Sequence, residues 1–513
     1  MSDARETELL EQIELRNEKI ARLEKEMQLL RDRVDYLLRQ IYGTKSEKMD
    51  PNQLQLLMQE LQSPGPALGK GLSPEGIETE PPRQKKVSRK SRGPRLPEHL
   101  PIIEEIVVPE EVKAEPQAWR RIGEEVSQRL DFEPARFFRR HIVRPKYVRR
   151  SDSDAVPVIA KLPPCILEGS IVTAGLLAQI LVAKYCDHLP LYRQQSIYQS
   201  RYGVELSRQV MAQWVGVAAD WLAPIYRQIH SDVLADGYLQ IDETPVRYLA
   251  PGHGKTKTGY FWTAHRPGGD VVFSWQTSRA ASCLEKIIPV DFSGVIQCDG
   301  YAGYDAFVRR RPGEIELVGC WAHARRKFVE ACEQAPRQAA LVLHLMQNLY
   351  RTEARLRQTR AGPKLRSIAR SIEARPVIAR LRCLLLCWKS KKRFLPQSLM
   401  GKAIDYTLGQ WDSLLPYLED GRLEIDNNLV ENAIRPTAVG KRNWLFIGEA
   451  NAGDRSAIIY TIIESCRRRG IDPYAYLRDV FTRLPAATNW QIKDLTPEAW
   501  AKAQRAASLR RAA

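Results

Sequence analysis

Near residue 237 the hydrophobic period of this chain switches from helical to alternating, and few folds accommodate both sides of that switch. Downstream, GYLQIDETPVRYL (237–249) and GYFWTAHRPGGDVVFSWQTS (259–278) read as three β-strands joined by Gly and Pro turns, with Pro267-Gly268-Gly269-Asp270 as a hairpin signal. A helical piece, ASCLEKII, leads into the short apolar strand within SGVIQCDGYAGYDAF, and a further helix and the strand EIELVGC follow. Three antiparallel strands followed by strand-helix-strand units make a mixed α/β sheet.

Upstream, residues 171–229 carry apolar side chains at helical spacing and divide into three helices. Pro190 starts the second, Gly203 breaks it, and Ser207 caps a third that runs through Trp214. A short turn between two helices is the helix-turn-helix pattern, and it places Arg208, Gln209 and Gln213 on the exposed face near the start of the second, within reach of base edges. Small helical bundles share this appearance, so spacing alone leaves DNA reading and plain packing equally open.

At 513 residues the chain exceeds one hydrophobic core, so several folding units are expected. Lysine and arginine total 78 against 61 acidic residues, a formal charge of +17, which favours a polyanionic partner such as nucleic acid. The longest apolar runs, such as Leu176–Ala183, fall short of the roughly 18 residues a spanning helix needs, so no membrane partner is expected. Nine cysteines without a CxxC pair resemble neither a disulfide framework nor a zinc site and fit a reducing cytoplasm.

The amino-terminal segment has its own pattern. Ile13, Ile20, Met27, Val34 and Ile41 form one column of a seven-residue repeat, and Leu9, Leu23, Leu30 and Leu37 form the other, interrupted by Arg16. β-Branched residues at a and leucine at d favour a parallel two-stranded coiled coil, so residues 1–48 are expected to dimerise the chain. Residues 49–98 read as a flexible linker whose run RQKKVSRKSRGPR carries seven basic residues and no acid. A second acid-free stretch, ARFFRRHIVRPKYVRR (135–150), is equally readable as a phosphate-facing surface or as a solvated strand pair.

Carboxylates carry the candidate chemistry. Asp242 is expected to end the first strand, before Thr244 and Pro245, and Asp299 to end the fourth, before Gly300. If those strands pair in parallel, the two groups become neighbours across 57 positions (299 minus 242). Glu431 falls on the helical segment NNLVENAIRP, with Asp426 placed to cap it, Pro436 to end it, and Asn427, Glu431 and Arg435 on one polar face. Three converging carboxylates can seat two Mg²⁺ ions, with Mn²⁺ an acceptable substitute, for displacement at a phosphodiester. Each also has a plainer reading: a strand-end aspartate forms turns, Glu431 can pair with Arg435, and Glu243 competes with Asp242. Spacing does not choose among them.

The wording around these residues does. DHLPLYRQQSIY with GVELSR, LQIDETPV, CDGYAGYDAF, CWAHARRKF, IDNNLVENAIRP, and GKRNWLFIG continuing to IIESCRRRGIDPYAYL occur in the order found in the insertion-sequence-66 family of bacterial transposases, which this chain resembles from about residue 120 to 485. The resemblance implies an RNase H-like catalytic domain over 231–485, interrupted by a helical insertion at about 330–420, and Asp242, Asp299 and Glu431 as its metal-binding catalytic triad. It implies a helix-turn-helix DNA-binding domain over 166–230 and a tail over 486–513. The partners implied are double-stranded DNA at the element's terminal repeats and target, a second copy of the chain, and small accessory proteins of the same element, all in a bacterial cytoplasm at the nucleoid. The fold class expected is thus multidomain α/β plus α. A catalytically silent DNA-binding dimer and an RNase H-like nuclease are the rival functions.

One departure concerns residues 99–165, where the family commonly carries a cysteine-rich zinc module. Here 99–160 lack cysteine, and His99 and His141 alone cannot complete a tetrahedral site, so no zinc is expected and a metal-free β unit is. Arg325, Arg326 and Lys327 are candidate phosphate contacts by charge, as is Arg435 on the Glu431 helix. His323 reads first as structural, and Cys383 and Cys387, at helical spacing, as core lining.

Overall fold

In the computed structural model, residues 96, 98, 100–133, 136–150, 156–250, 252 and 254–512 are described. The expected coiled coil over 1–48 and nearly all of the linker over 49–98 lie outside them. Described strands and helices begin with a small sheet: β1 (Ile102–Ile106), α1 (Glu110–Ala114), β2 (Trp119–Glu133), β3 (Arg136–Arg149) and β4 (Val158–Ile159). β3 is central, antiparallel to β2 and β4 and parallel to β1. Phe137, Phe138, Ile142, Val143 and Val148 of β3 turn into the protein, so the aromatic residues of the basic stretch serve as core. Two of its arginines serve the sheet too: Arg140 pairs with Asp131 at 2.7 Å and Arg144 with Glu125 at 2.7 Å. The strand-pair reading of 135–150 holds for these residues because acids lie across the ladder.

Three helices follow, α2 (Ala174–Tyr185), α3 (Leu191–Tyr202) and α4 (Arg208–Leu234). Their punctuation is local chemistry. Pro190 occupies the N-cap of α3, Gly203 closes it in the left-handed region at φ 62°, and the Ser207 hydroxyl accepts the Val210 N–H to cap α4. Arg208, Gln209 and Gln213 are all exposed.

The larger sheet comprises β5 (Tyr238–Leu249), β6 (Thr256–His265), β7 (Val271–Gln276), β8 (Gly294–Gln297), β9 (Ile315–Val318) and β10 (Phe446–Ile447), with the short helices α5 (Leu284–Ile287) and α6 (Ala302–Val308) between strands. The order is β7-β6-β5-β8-β9, with β10 also against β5. β5, β6 and β7 run antiparallel, while β8 pairs in parallel with β5 and β9 with β8. After β9 come α7 (Trp321–Ala331), α8 (Pro336–Gln358), α9 (Pro363–Ala369), α10 (Arg375–Ser390) and α11 (Leu399–Gly409), then α12 (Asn428–Trp444), α13 (Ala450–Arg468), α14 (Pro473–Arg483) and α15 (Pro497–Ala512).

Two buried cores share the sheet. The first joins Leu239 and Ile241 of β5 to α2, α4, α13 and α14; the second joins Tyr238, Val295 and Val318 to the helices between β9 and α12. Among the described residues no helix is long and apolar enough to cross a membrane.

Four local expectations need correction. Asp242 does not end its strand, because β5 continues to Leu249 and pairs with β6 throughout. Pro436 lies inside α12, which runs on to Trp444 and stops where Leu445 takes a positive φ of 62°. Cys383 and Cys387 are exposed: α10 buries Ile378, Leu381, Leu385 and Trp388, which turns the cysteines outward. The segment read as a tail forms α15, anchored where the Trp500 indole donates to Asp479 at 2.9 Å and Arg469 pairs with Glu498.

Candidate functional site

The β5–β8 ladder pairs Tyr238 with Val295, Leu239 with Ile296 and Gln240 with Gln297, a constant offset of 57 (295 minus 238). Asp242 and Asp299 share that offset (299 minus 242 is also 57), each standing two residues past the last pair, Gln240 and Gln297. Side chains alternate along a strand, so Tyr238, Gln240 and Asp242 share one side of β5. Asp299 lies just past the end of β8, where its Oδ1 accepts the Tyr301 N–H at 3.0 Å.

Glu431 arrives from the opposite direction, on the first turn of α12. Asp426 conditions that turn, its Oδ1 accepting the Asn428 N–H at 3.2 Å and its Oδ2 the Asn428 amide at 2.9 Å, while Asn427 holds the N-cap position. Asn427 is fully buried and Arg435 is exposed, so the polar face expected along 427, 431 and 435 runs from interior to solvent. His323 Nε2 and Arg326 Nη2, both from α7, each lie 3.6 Å from the Glu431 carboxylate. Burial pushes the His323 imidazole below its ordinary value, against the pull of Glu431.

Asp242 registers how close the other acids are. Burial first, then the negative charges of Glu243, Glu431 and Asp299, push its carboxyl up to about 8. Glu243 is already occupied: its Oε1 accepts from Arg279 at 2.6 Å and its Oε2 from the Tyr304 hydroxyl at 2.8 Å, and Arg279 stacks 3.8 Å from the Tyr301 ring centre. The structure therefore separates the two adjacent acids of β5, leaving Asp242 with neighbouring negative charge and, among the described residues, no ion pair.

Hard oxygen donors with uncompensated negative charge match what a divalent cation such as Mg²⁺ requires. Among the described residues no group of three or more His, Cys, Asp or Glu side chains lies close enough to hold a metal ion as placed. The fit thus rests on donor chemistry and charge.

Of the remaining candidates, Arg325 and Arg326 are exposed on α7. Lys327 is half-buried and 3.7 Å from Glu330. Gln240 and Gln297 escaped attention in the sequence, although each stands two residues before a candidate aspartate, in Gln240-Ile241-Asp242 and Gln297-Cys298-Asp299. Lys441, whose ammonium donates to the Pro245 carbonyl at 3.1 Å, had no local signal.

Comparison with known proteins identifies the family. The family model described as "Transposase IS66 family" matches residues 169–455, which include α2 to α4, the large sheet and all three carboxylates. A second, "IS66 C-terminal element", matches 461–497, and a third, "Transposase C of IS166 homeodomain", matches 29–104, almost wholly outside the described residues. The uncharacterized protein y4jD of Sinorhizobium fredii is 33% identical over 494 residues, covering 92% of this chain and 94% of the relative. The uncharacterized protein y4qI of the same organism is 37% identical over 415 residues, 77% of this chain and 75% of the relative. A family model spanning more than half of the 513 residues, together with relatives matched over most of their length, establishes that the chain belongs to the IS66 family of transposases.

Proposed function

We propose that this protein is a DDE-type DNA transposase that nicks the ends of its element and joins the freed 3′ ends to target DNA, using Asp242, Asp299 and Glu431 as its catalytic carboxylates. The observation that carries the reading is the Asp242 carboxyl, raised to about 8 by burial first, then by the adjacent Glu243 and by Glu431 and Asp299, acids 189 and 57 positions away (431 minus 242; 299 minus 242). Three antiparallel strands extended by two parallel ones support an RNase H-like core, with the helices between β9 and α12 as its insertion. When bound, two Mg²⁺ ions held by the three carboxylates would supply Lewis acidity at the scissile phosphodiester and acidify the attacking water or 3′-hydroxyl, and Mn²⁺ would substitute.

The chain's own residues do the rest. His323 and Arg326 flank Glu431 and orient its carboxylate; Arg326, 55% exposed, also offers its guanidinium to phosphate, as do Arg325, Lys327 and Arg435. Arg208, Gln209 and Gln213, exposed at the start of α4, are placed to read base edges of the terminal repeats. Residues 1–48 dimerise the chain, so that two element ends are held together in the bacterial cytoplasm, with small accessory proteins of the same element as further partners.

The test is metal-dependent cleavage of duplex DNA carrying the element's ends. Asp242→Asn, Asp299→Asn and Glu431→Gln are each expected to lower the single-turnover rate by at least about 10³-fold while end binding persists, a loss on the order of 4 kcal/mol of transition-state stabilisation. Wild-type cutting by all three would end the assignment. Strand joining distinguishes a transposase from a nuclease, and absence of both cutting and joining in the native chain would favour the silent DNA-binding dimer.

A further inference from the structure

Between the sheet and the start of α12 lies a set of buried polar side chains that neither the carboxylate triad nor the DNA contacts use. Gln240 and Gln297 are fully buried, and Tyr238 nearly so. The Tyr238 hydroxyl donates to Gln297 Oε1 at 2.7 Å, and Gln240 Nε2 donates to the same oxygen at 2.9 Å. From this centre the contacts reach outward to main chain. Gln240 Nε2 also donates to the Asp426 carbonyl at 2.9 Å, Gln297 Nε2 to the Glu424 carbonyl at 2.8 Å and the Gly319 carbonyl at 3.2 Å, and the Tyr238 hydroxyl accepts the Glu424 N–H at 3.0 Å.

Burying two primary amides and a phenol costs free energy unless their polar atoms are paired, and an aliphatic filling would cover the same sheet without that demand. What the amides add is direction. They tie β5, β8 and the turn after β9 to residues 424–426, and Asp426 in turn holds Asn428, the first residue of α12. Three residues further on is Glu431. The two strands repeat the device, since each glutamine stands two residues before a candidate aspartate, and the ladder pairs the glutamines directly. One hydrogen-bonded lattice thus ties β5, β8 and the approach to the glutamate helix together.

We infer that Tyr238, Gln240 and Gln297 are positioning residues for the metal-binding carboxylates: the lattice sets the distance of Glu431 from Asp242 and Asp299, and so the affinity of the site for its divalent cations. This rests on the triad assignment proposed above. Groups that orient ligand-bearing residues without touching the metal typically change its affinity by about 10- to 100-fold when removed.

The experiment measures Mn²⁺ binding to the full chain by titration calorimetry, without DNA, for Tyr238→Phe, Gln240→Met, Asp242→Asn and a control, Tyr476→Phe. The control deletes an equally buried hydroxyl, which donates to the Leu495 carbonyl away from the lattice. Tyr238→Phe and Gln240→Met are expected to weaken Mn²⁺ binding about tenfold, while melting remains cooperative and metal-free binding to element-end DNA stays within about twofold of native. Tyr476→Phe should bind Mn²⁺ as the native chain does. Native Mn²⁺ affinity in both lattice variants, or an equal loss in the control, overturns the inference. Asp242→Asn separates the two levels: if it loses Mn²⁺ while the lattice variants keep it, only the lattice falls, whereas native binding by Asp242→Asn overturns the triad and the lattice with it.

Discussion

Two groups of buried charge in this molecule are built to opposite rules. Between α8 and the segment before α12, Glu353 is 1% exposed and Arg370 is fully buried, and every charge meets a partner. Arg370 donates from Nε and Nη2 to both Glu353 oxygens at 2.7 and 2.9 Å and spends its remaining donors on the carbonyls of Tyr417, Asp420 and Leu423. Arg366 bridges Glu353 to Glu424 at 3.0 and 2.9 Å. Burial would raise the Glu353 carboxyl, but Arg370 and then Arg366 outweigh it and hold the group below the ordinary glutamate value. At Asp242 burial acts in the same direction, the neighbouring charges are acids, and the opposition comes from a backbone hydrogen bond at Glu243, which they outweigh. The first group is complete as folded; the second has the electrostatics of a site finished by a cation.

If that contrast is real, Glu353→Gln carries the largest stability cost. It leaves the Arg370 and Arg366 guanidinium groups buried against a neutral amide, and breaking one side of a buried pair costs about 3–5 kcal/mol. Urea unfolding should show a lower midpoint, and limited proteolysis should find the helices from α8 to α11 opening first. Replacing both partners, Glu353→Leu with Arg370→Met, should recover most of the loss, because the desolvation cost goes with the charges. A single variant as stable as native would remove one half of the comparison.

The second prediction has the opposite sign. Without divalent cations, Asp242→Asn should be more stable than native at neutral pH, by on the order of 1–3 kcal/mol once partial exposure is discounted. Because the folded pKa of about 8 lies above the ordinary 3.8, the folded state binds more protons than the unfolded chain between those values. The native chain therefore loses stability relative to the variant as pH rises from about 4 to 8. Glu353 works the other way, its contribution present above the ordinary glutamate range and lost on acidification. Thermal melts of native and Asp242→Asn protein in chelator, at pH 5 and pH 8, should diverge at the higher pH. Equal melting at both would show that Asp242 carries no uncompensated charge.

The difference between the groups explains how far each was legible in the sequence. Elements set by local chemistry could be read directly: Pro190, Gly203 and Ser207 bound α3 and α4 as expected, and Gly268 and Gly269 turn β6 into β7. The expected approach of Asp242 to Asp299 rested on one topological assumption, parallel pairing of their strands, and the β5–β8 ladder does pair in parallel. What stayed hidden depends on partners distant in the chain. Nothing near Glu243 announces Tyr304, 61 positions on, and nothing near Gln240 announces the Asp426 carbonyl, 186 positions on. Cys383 and Cys387 show a different failure. Helical spacing identifies two residues as sharing a face, but only the packing of Leu381, Leu385 and Trp388 decides which face is inside.

The smallest expected effect isolates burial as the cause. Lys389 and Asp405 form an ion pair at 2.8 Å with the same chemistry as the Glu353 cluster, yet their side chains are 55% and 48% exposed. Water and salt screen such a pair, and holding two long side chains together costs conformational entropy, so exposed pairs contribute about 0.2–1 kcal/mol. Asp405→Asn should shift the urea midpoint barely beyond error in low salt, and not at all in about 0.5 M NaCl, where the Debye length falls below roughly 5 Å. Glu353→Gln should keep its full penalty at both salt concentrations, because its partners sit where counterions do not reach. A salt-sensitive Glu353 variant, or an Asp405 variant as costly as Glu353→Gln, would mean that charge pairing itself, independent of burial, separates these sites, and Asp242 would then have to be explained without its environment.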